Sequence, residues 1–302
     1  MLKEKITFKE SKIQLSHGAG GKASRRLIEG LIAPYLKVET LNDAAHVQAG
    51  SENIAFTSDS FVVNPLKFPG GSIGELAING TINDIAMGGA KPLAIVSTLI
   101  IEAGLDTSVL EEEIKAMREA ALKAGISIVG GDTKVVEHQK ADQLFISTAG
   151  IGLVNPRVHL SAARVKQGDK IILSGPIGDH GITILLARGE LDLEADIKSD
   201  TRSVWPFVSK LMDVAAPGLK WMRDPTRGGV ATALNELAKD AKVSLVLEEE
   251  AIKVRPEVRG ACELLGLDPL HIANEGQFIA IVSEEYAEEA LKAIQAVPGG
   301  EM

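Results

Sequence analysis

Apolar and polar positions divide the chain into two halves of mixed helix and strand. Residues 54–57 read as a short strand, and residues 74–87 carry Leu76, Ile78, Ile82 and Ile85 around most of a helical circumference, which predicts a helix buried on nearly every side. Residues 93–101 form a β-branched-rich strand. Leu110, Ile114, Met117 and Ala121 then recur at helical spacing, with Glu111 and Lys115 four apart on another face, the pattern of an amphipathic helix over a sheet. Strands over 126–129 and 144–151 complete the first half. The polar stretch 155–169, containing Pro156 and Gly168, marks a boundary between domains spanning residues 1–155 and 156–302. The second half opens on a strand at 170–173, passes through helices near 181–187 and 229–239, and has further strands at 243–247 and 278–282. Because few connections look like regular strand-helix-strand crossovers, the expected class is α+β rather than a doubly wound parallel sheet.

Composition narrows the function classes. With 302 residues, 45% of them hydrophobic and 24% charged, the chain has the material for a packed core and for two domains. Its net charge of −9 repels a phosphate backbone, so nucleic acid is not an expected partner. The opening MLKEKITFKE lacks an apolar leader and no apolar run is long enough to span a bilayer, so no membrane role is expected. The single cysteine, Cys262, excludes an intrachain disulfide and agrees with a cytoplasmic location. Within 258–265 it shares the helical pattern of Val258, Ala261 and Leu265, so it reads as core.

Two glycine-rich loops raise the question of a nucleotide. Gly18, Gly20, Gly21 and Lys22 precede a helical pattern over 24–36; converging backbone N–H groups and a lysine there suit an anion, although taken alone the loop fits a flexible turn slightly better than a phosphate site. Ser16 and Ala23 break the Walker A pattern, and Ala23 also spoils a dinucleotide fingerprint. The second loop, RDPTRGG at 223–229, enters the helix at 230–239. Thr226 or Asp224 reads as a helix cap, or Arg227 and the free N–H groups face a phosphate. Glycine loops in both halves suggest a nucleotide held between domains.

Four aspartates, Asp43, Asp59, Asp84 and Asp132, fall at the ends of apolar segments or inside one. Each alone reads as a turn or cap. In the buried helix, however, Glu75, Asn79 and Asn83 stack beside Asp84, and no lysine or arginine occurs from residue 70 to 90. Buried carboxylates need a partner, a proton or a metal. Magnesium suits an all-oxygen set that also meets phosphates, whereas the six scattered histidines and one cysteine disfavour zinc.

The strings HGAGGKASRRLI, FPGG, NDIAMGGAKP, GGDTKVV, GDHG, RDPTRGGV and ANEG, in this order across nearly the whole chain, resemble the HypE family of hydrogenase-maturation proteins, within the PurM-like superfamily of aminoimidazole ribonucleotide and selenophosphate synthetases. That resemblance implies an N-terminal α+β domain forming a homodimer around a shared sheet, a C-terminal α+β domain, and ATP with Mg2+ in the cleft. It implies ATP-dependent dehydration of a carbamoyl group on the protein's own C-terminal cysteine to a thiocyanate, with a HypF-like carbamoyltransferase and the HypC-HypD pair as partners. Carried onto this chain, Asp43, Asp59, Asp84 and Asp132 are the expected metal carboxylates. Gly18, Gly20, Gly21, Lys22, Asn83, Thr133, His180 and Arg227 are the expected nucleotide contacts, and Lys134 and Glu275 the expected catalytic pair. HypE chains end in Pro-Arg-Ile-Cys, whereas this sequence ends Pro298-Gly299-Gly300-Glu301-Met302, so the expectation is a truncated chain that binds ATP but cannot dehydrate its own tail. Two rivals stand beside this reading: a selenophosphate synthetase-type enzyme, which would carry a reactive cysteine or selenocysteine near the first glycine loop, and a nonenzymatic nucleotide-gated scaffold.

Overall fold

The computed structural model describes residues 6–38, 41–189 and 195–300. After α1 (Gly21–Leu27), a π-helical turn (Ile28–Ile32) and α2 (Ala33–Leu36), the first half forms a five-stranded sheet in the order β1-β2-β7-β5-β6. Its strands are β1 (Ala45–Ala49), β2 (Glu52–Phe61), β5 (Ala90–Glu102), β6 (Ser127–Val136) and β7 (Leu144–Val154). A two-stranded ribbon, β3 (Lys67–Phe68) and β4 (Gly71–Ser72), leads into α3 (Ile73–Met87). The parallel pair β5 and β6 is joined by α4 (Thr107–Ala124), while the other pairs in this sheet are antiparallel. The strands outrun the 54–57 and 126–129 segments read from sequence because hydrogen-bonded neighbours extend them past their apolar cores.

Helix α3 organises this half. Each of its residues is buried except Glu75 and Asp84, as the all-round apolar pattern predicts. Ala55, Thr57 and Phe61 of β2, Ile146 and Thr148 of β7 and Ile95 of β5 lie on the buried face of the sheet beneath it. Close approach depends on a missing side chain: a Cβ at Gly150 would sit 2.7 Å from Thr81 Cγ2 and 2.8 Å from Ile85 Cδ1. On the other face of the same sheet Val47, Phe56, Val96 and Ile151 are exposed, and all five positions of β1 are open.

The second half contains a three-stranded antiparallel sheet, with β10 (Ile279–Val282) between β8 (Lys170–Leu173) and β9 (Leu219–Arg223). Both faces of β10 are covered. Phe278, Ala280 and Val282 join the core of α6 (Trp205–Ala215) and α9 (Glu284–Gln295), while Ile279 and Ile281 join that of α7 (Gly229–Ala241). Helices α5 (Asp179–Ala187) and α8 (Pro256–Leu265) pack beside them, with Cys262 buried in that contact as expected. Ala86 and Met87, at the end of α3, belong to the α6–α9 core, so the two halves share hydrophobic packing.

The strand expected at 243–247 does not form. Val243 and Leu245 pack on the α7 core while Val246 is exposed, so the alternation records half-burial of an extended segment with no partner strand.

Candidate functional site

Carboxylates from both halves meet where α3 faces the second domain. Asp84 occupies the partly exposed turn of α3, Asp59 lies on the α3 side of β2, Asp43 precedes β1, Asp224 follows β9, and Glu275 precedes β10. Asp59, Asp84, Asp224, Thr226, Arg227 and Glu275 line one cavity of about 430 Å³. Burial first, then the neighbouring charges of Asp224, Asp43 and Asp59, hold the Asp84 carboxyl well above the usual carboxylate range. Burial, followed by Asp43, pushes Asp224 up to about 8. Glu275 is likewise raised well above its ordinary value, by burial and then by Asp224, Asp200 and Asp59.

Cations cover only the margins. Arg223 Nε lies 3.3 Å from Asp43 Oδ1 and its Nη1 3.0 Å from Glu236, while Arg227 Nη2 lies 3.3 Å from Asp59 Oδ1. Among the described residues no ion pair reaches Asp84 or Asp224. The Thr57 hydroxyl stands 2.8 Å from both the Asp43 carbonyl oxygen and Asp84 Oδ2. One hydroxyl proton cannot serve two acceptors; a protonated Asp84 resolves the conflict by donating to Thr57 Oγ1 while Thr57 donates to Asp43.

The two glycine loops meet beside this cluster. A Cβ on Gly20, whose φ is +83°, would come within 3.0–3.2 Å of Arg227, so glycine is what lets the first loop lie against the second. His17, Gly18, Gly20 and Gly21 share a cavity of about 280 Å³ with Asp43, Asp224, Thr226 and Arg227. Gly228 and Gly229 both have positive φ and open α7 with its N-terminus toward this space, an arrangement suited to phosphate oxygens. Lys22 is exposed and does not line the cavity.

The other expected site residues have different surroundings. Asn83 is engaged by backbone groups of the second half: its Nδ2 donates to the carbonyls of Arg202 and Glu275, each at 3.0 Å, and its Oδ1 accepts the Val204 N–H at 2.8 Å. His180 lines the cleft, but burial holds it neutral with a pKa lowered to about 4, and its Nδ1 is 2.9 Å from Ser199 Oγ. Asp132, Thr133 and Lys134 are on β6, which β7 and β5 separate from Asp59 on β2, roughly 14 Å away by strand spacing. Asp132 and Lys134 also project from the sheet face opposite α3, as the register Asp132–Thr98–Ser147–Ser60 requires. Asp132 and Thr133 line a separate groove with Leu99, Met117 and Arg118. Conversely Asp224, Arg223 and Thr57 belong to the site though sequence reading did not select them; the adjacency of Asp224 to Arg227 in RDPTRGG was the available signal.

Residues 41–154 match the N-terminal domain of AIR synthase related proteins, and residues 166–299 match their C-terminal domain. The carbamoyl dehydratase HypE of Azotobacter vinelandii is 46% identical over 299 residues, covering 98% of this chain and 87% of that protein. The chain belongs to the HypE family. A solved HypE–HypF complex contains a HypE chain that superposes with a TM-score of 0.86 at 43% identity, over 91% of this chain and 90% of that one. A HypE structure in complex with ATP gives a TM-score of 0.79 at 44% identity, over 96% and 87% of the two chains. The HypE likeness therefore takes in both domains and the cleft between them.

The cleft chemistry fits a divalent cation. Among the described residues no three histidine, cysteine or carboxylate groups enclose an ion by themselves. Magnesium does not require such a cage, because it retains waters and completes its shell with phosphate oxygens. Buried acids raised by desolvation and then by one another's charge, with no cation paired to Asp84 or Asp224 among the described residues, are the donor set such an ion would relieve.

Proposed function

We propose that this chain is an ATP-dependent carbamoyl dehydratase of hydrogenase maturation, removing one water from a carbamoyl group on a cysteine sulfur to give a thiocyanate. The cyanide so formed would go to the iron of a [NiFe]-hydrogenase. The observation that carries the reading is the meeting of Asp43, Asp59, Asp84, Asp224 and Glu275 beside two glycine loops in a HypE-family chain. ATP as the driving substrate is supported by the ATP complex of a 44% identical HypE.

The reaction needs the amide oxygen to become a leaving group. The carbamoyl oxygen attacks the γ-phosphorus and ADP departs; two protons leave nitrogen, and inorganic phosphate leaves carbon as the triple bond forms. The glycine-loop N–H groups and Arg227 hold phosphate oxygens, with Arg227 exchanging its contact to Asp59 for the nucleotide. Glu275, whose proton affinity is raised by burial, takes a proton from nitrogen. Asp43, Asp59, Asp84 and Asp224 would hold magnesium, which when bound supplies positive charge to the phosphates.

The exposed apolar face of the first sheet and its open edges support a homodimer. A second copy on that face is also the route by which Asp132, Thr133 and Lys134 would reach a cleft, Lys134 there stabilising the transferring phosphoryl group. A HypF-like carbamoyltransferase as partner is supported by the HypE–HypF complex, and the HypC-HypD pair, which the family resemblance implies, would accept the cyanide. No helix among the described residues is long and apolar enough to cross a membrane, and the reading places the work in the cytoplasm.

The test supplies a peptide ending in Pro-Arg-Ile-Cys, carbamoylated on sulfur, with Mg-ATP, and follows the peptide by mass spectrometry. Loss of one water, abolished by Asp84→Ala, is the expected result. ATP binding without any loss of water would instead favour a nucleotide-gated scaffold.

A further inference from the structure

The peptide unit around Glu275 is held from two sides by side chains that the reaction itself does not use. On one side the Asp200 carboxylate accepts the Glu275 N–H through Oδ1 and the Gly276 N–H through Oδ2, each at 3.1 Å. Opposite, Asn83 Nδ2 donates to the Glu275 carbonyl oxygen at 3.0 Å. The preceding residue is fixed as well: Asn274 is fully buried, accepts the Gly178 N–H at 2.7 Å and donates to the Pro225 carbonyl. A Cβ at Gly276 would collide with the Asp200 carbonyl oxygen, so the Asp200 backbone lies directly against this turn. A two-pronged carboxylate on consecutive amides fixes the plane of the turn as well as its position, because each oxygen holds one N–H direction.

Asn83 is the neighbour of Asp84 on α3. Asp84 faces the carboxylate cluster while Asn83 faces the second domain, so one rigid helical turn joins the phosphate side of the cleft to the backbone of Glu275. Asn83 also spans the carbonyl of Arg202 and the N–H of Val204, tying in the loop that carries Asp200.

We infer that Asp200 is a positioning residue, which with Asn83 sets the reach of the Glu275 carboxylate into the cleft relative to Asp84. The inference rests on the reading of Glu275 as the proton acceptor. Proton transfer requires a base within hydrogen-bond reach, and a displacement on the order of 1 Å costs roughly 100-fold in rate. Asp200→Asn retains size but replaces one acceptor oxygen with an NH2 group facing an N–H, which turns the peptide. Nucleotide binding, which the glycine loops and the other carboxylates provide, is left in place.

The experiment is a double-mutant cycle on the full chain, with the carbamoylated Pro-Arg-Ile-Cys peptide as substrate, comparing wild type, Asp200→Asn, Glu275→Gln and the double variant. Asp200→Asn should lower kcat by 10- to 100-fold while the KM for ATP stays within twofold. In the Glu275→Gln background it should have no further effect, because the group it positions is already gone. Additive losses in the double variant, or a kcat unchanged by Asp200→Asn, would overturn the inference while leaving Glu275 in its role. Full turnover by Glu275→Gln would instead overturn the reading beneath it. Should Asp200→Asn abolish folding, Asn83→Ser loosens the same peptide from the opposite side and must show the same non-additivity with Glu275→Gln.

Discussion

At the scale of single residues the cleft is held together against its own charge. Asp84 and Asp224 keep protons that a solvent-exposed aspartate would release, because burial and like charges oppose ionisation. The folded chain thus binds a proton at Asp224 up to about pH 8, whereas the unfolded chain releases it near about pH 4. Between those limits the folded state carries the extra proton, so stability is greatest below the window and falls as pH rises through it. The melting temperature of ligand-free protein should decline from acid toward pH 8, and Asp224→Asn should flatten that slope; an unchanged slope in the variant would refute the assignment. Sequence reading reached Asp43, Asp59 and Asp84 through their places at the ends or interruptions of apolar segments. The same reasoning selects Asp132, whose setting looks the same along the chain but whose strand register turns it to the opposite face, where only a second copy's cleft is within its reach. Asn83 stands out in the sequence for a related reason: a polar residue in a buried helix without nearby cations announces a hidden partner, and here the partners include backbone groups of the other domain.

Elements were legible where periodicity reflects burial on one chain segment. The all-round apolar run of α3, the amphipathic α4 and the strand at 170–173 follow from local pattern, since each carries its own core-facing stripe. Strand β9 is hidden from the pattern, because it is only Leu219–Arg223 and its lysine, Lys220, is buried by an ion pair with Asp169 at 2.8 Å. That pairing is invisible to a hydropathy pattern. The contact of α3 with β7 yields a direct test. Gly150→Val would drive methyl groups into Thr81 and Ile85, and overpacking of this kind should cost about 1–3 kcal/mol in chemical denaturation. A variant as stable as wild type would mean that α3 does not sit this close to the sheet.

At the scale of the whole molecule, one sheet face packs α3 and the other exposes Val47, Phe56, Val96 and Ile151 beside the strand that carries Lys134. If a homodimer covers that face and shares its sites, Asp84→Ala and Lys134→Ala should each be inactive alone, and a re-equilibrated equal mixture should recover about one quarter of wild-type turnover, the fraction of sites intact in a random pairing of symmetric dimers. No recovery, with exchange of subunits verified, would separate Lys134 from a shared site. The functional reading depends on the acidic cleft taking ATP together with a divalent cation. Titration calorimetry of ATP into the protein, with magnesium and then with excess chelator, tests that claim most directly, with Asp84→Asn as the second protein. The account predicts saturable heat with magnesium, at least a tenfold weaker affinity without it, and the same loss in Asp84→Asn. Equal affinity under all three conditions would contradict it.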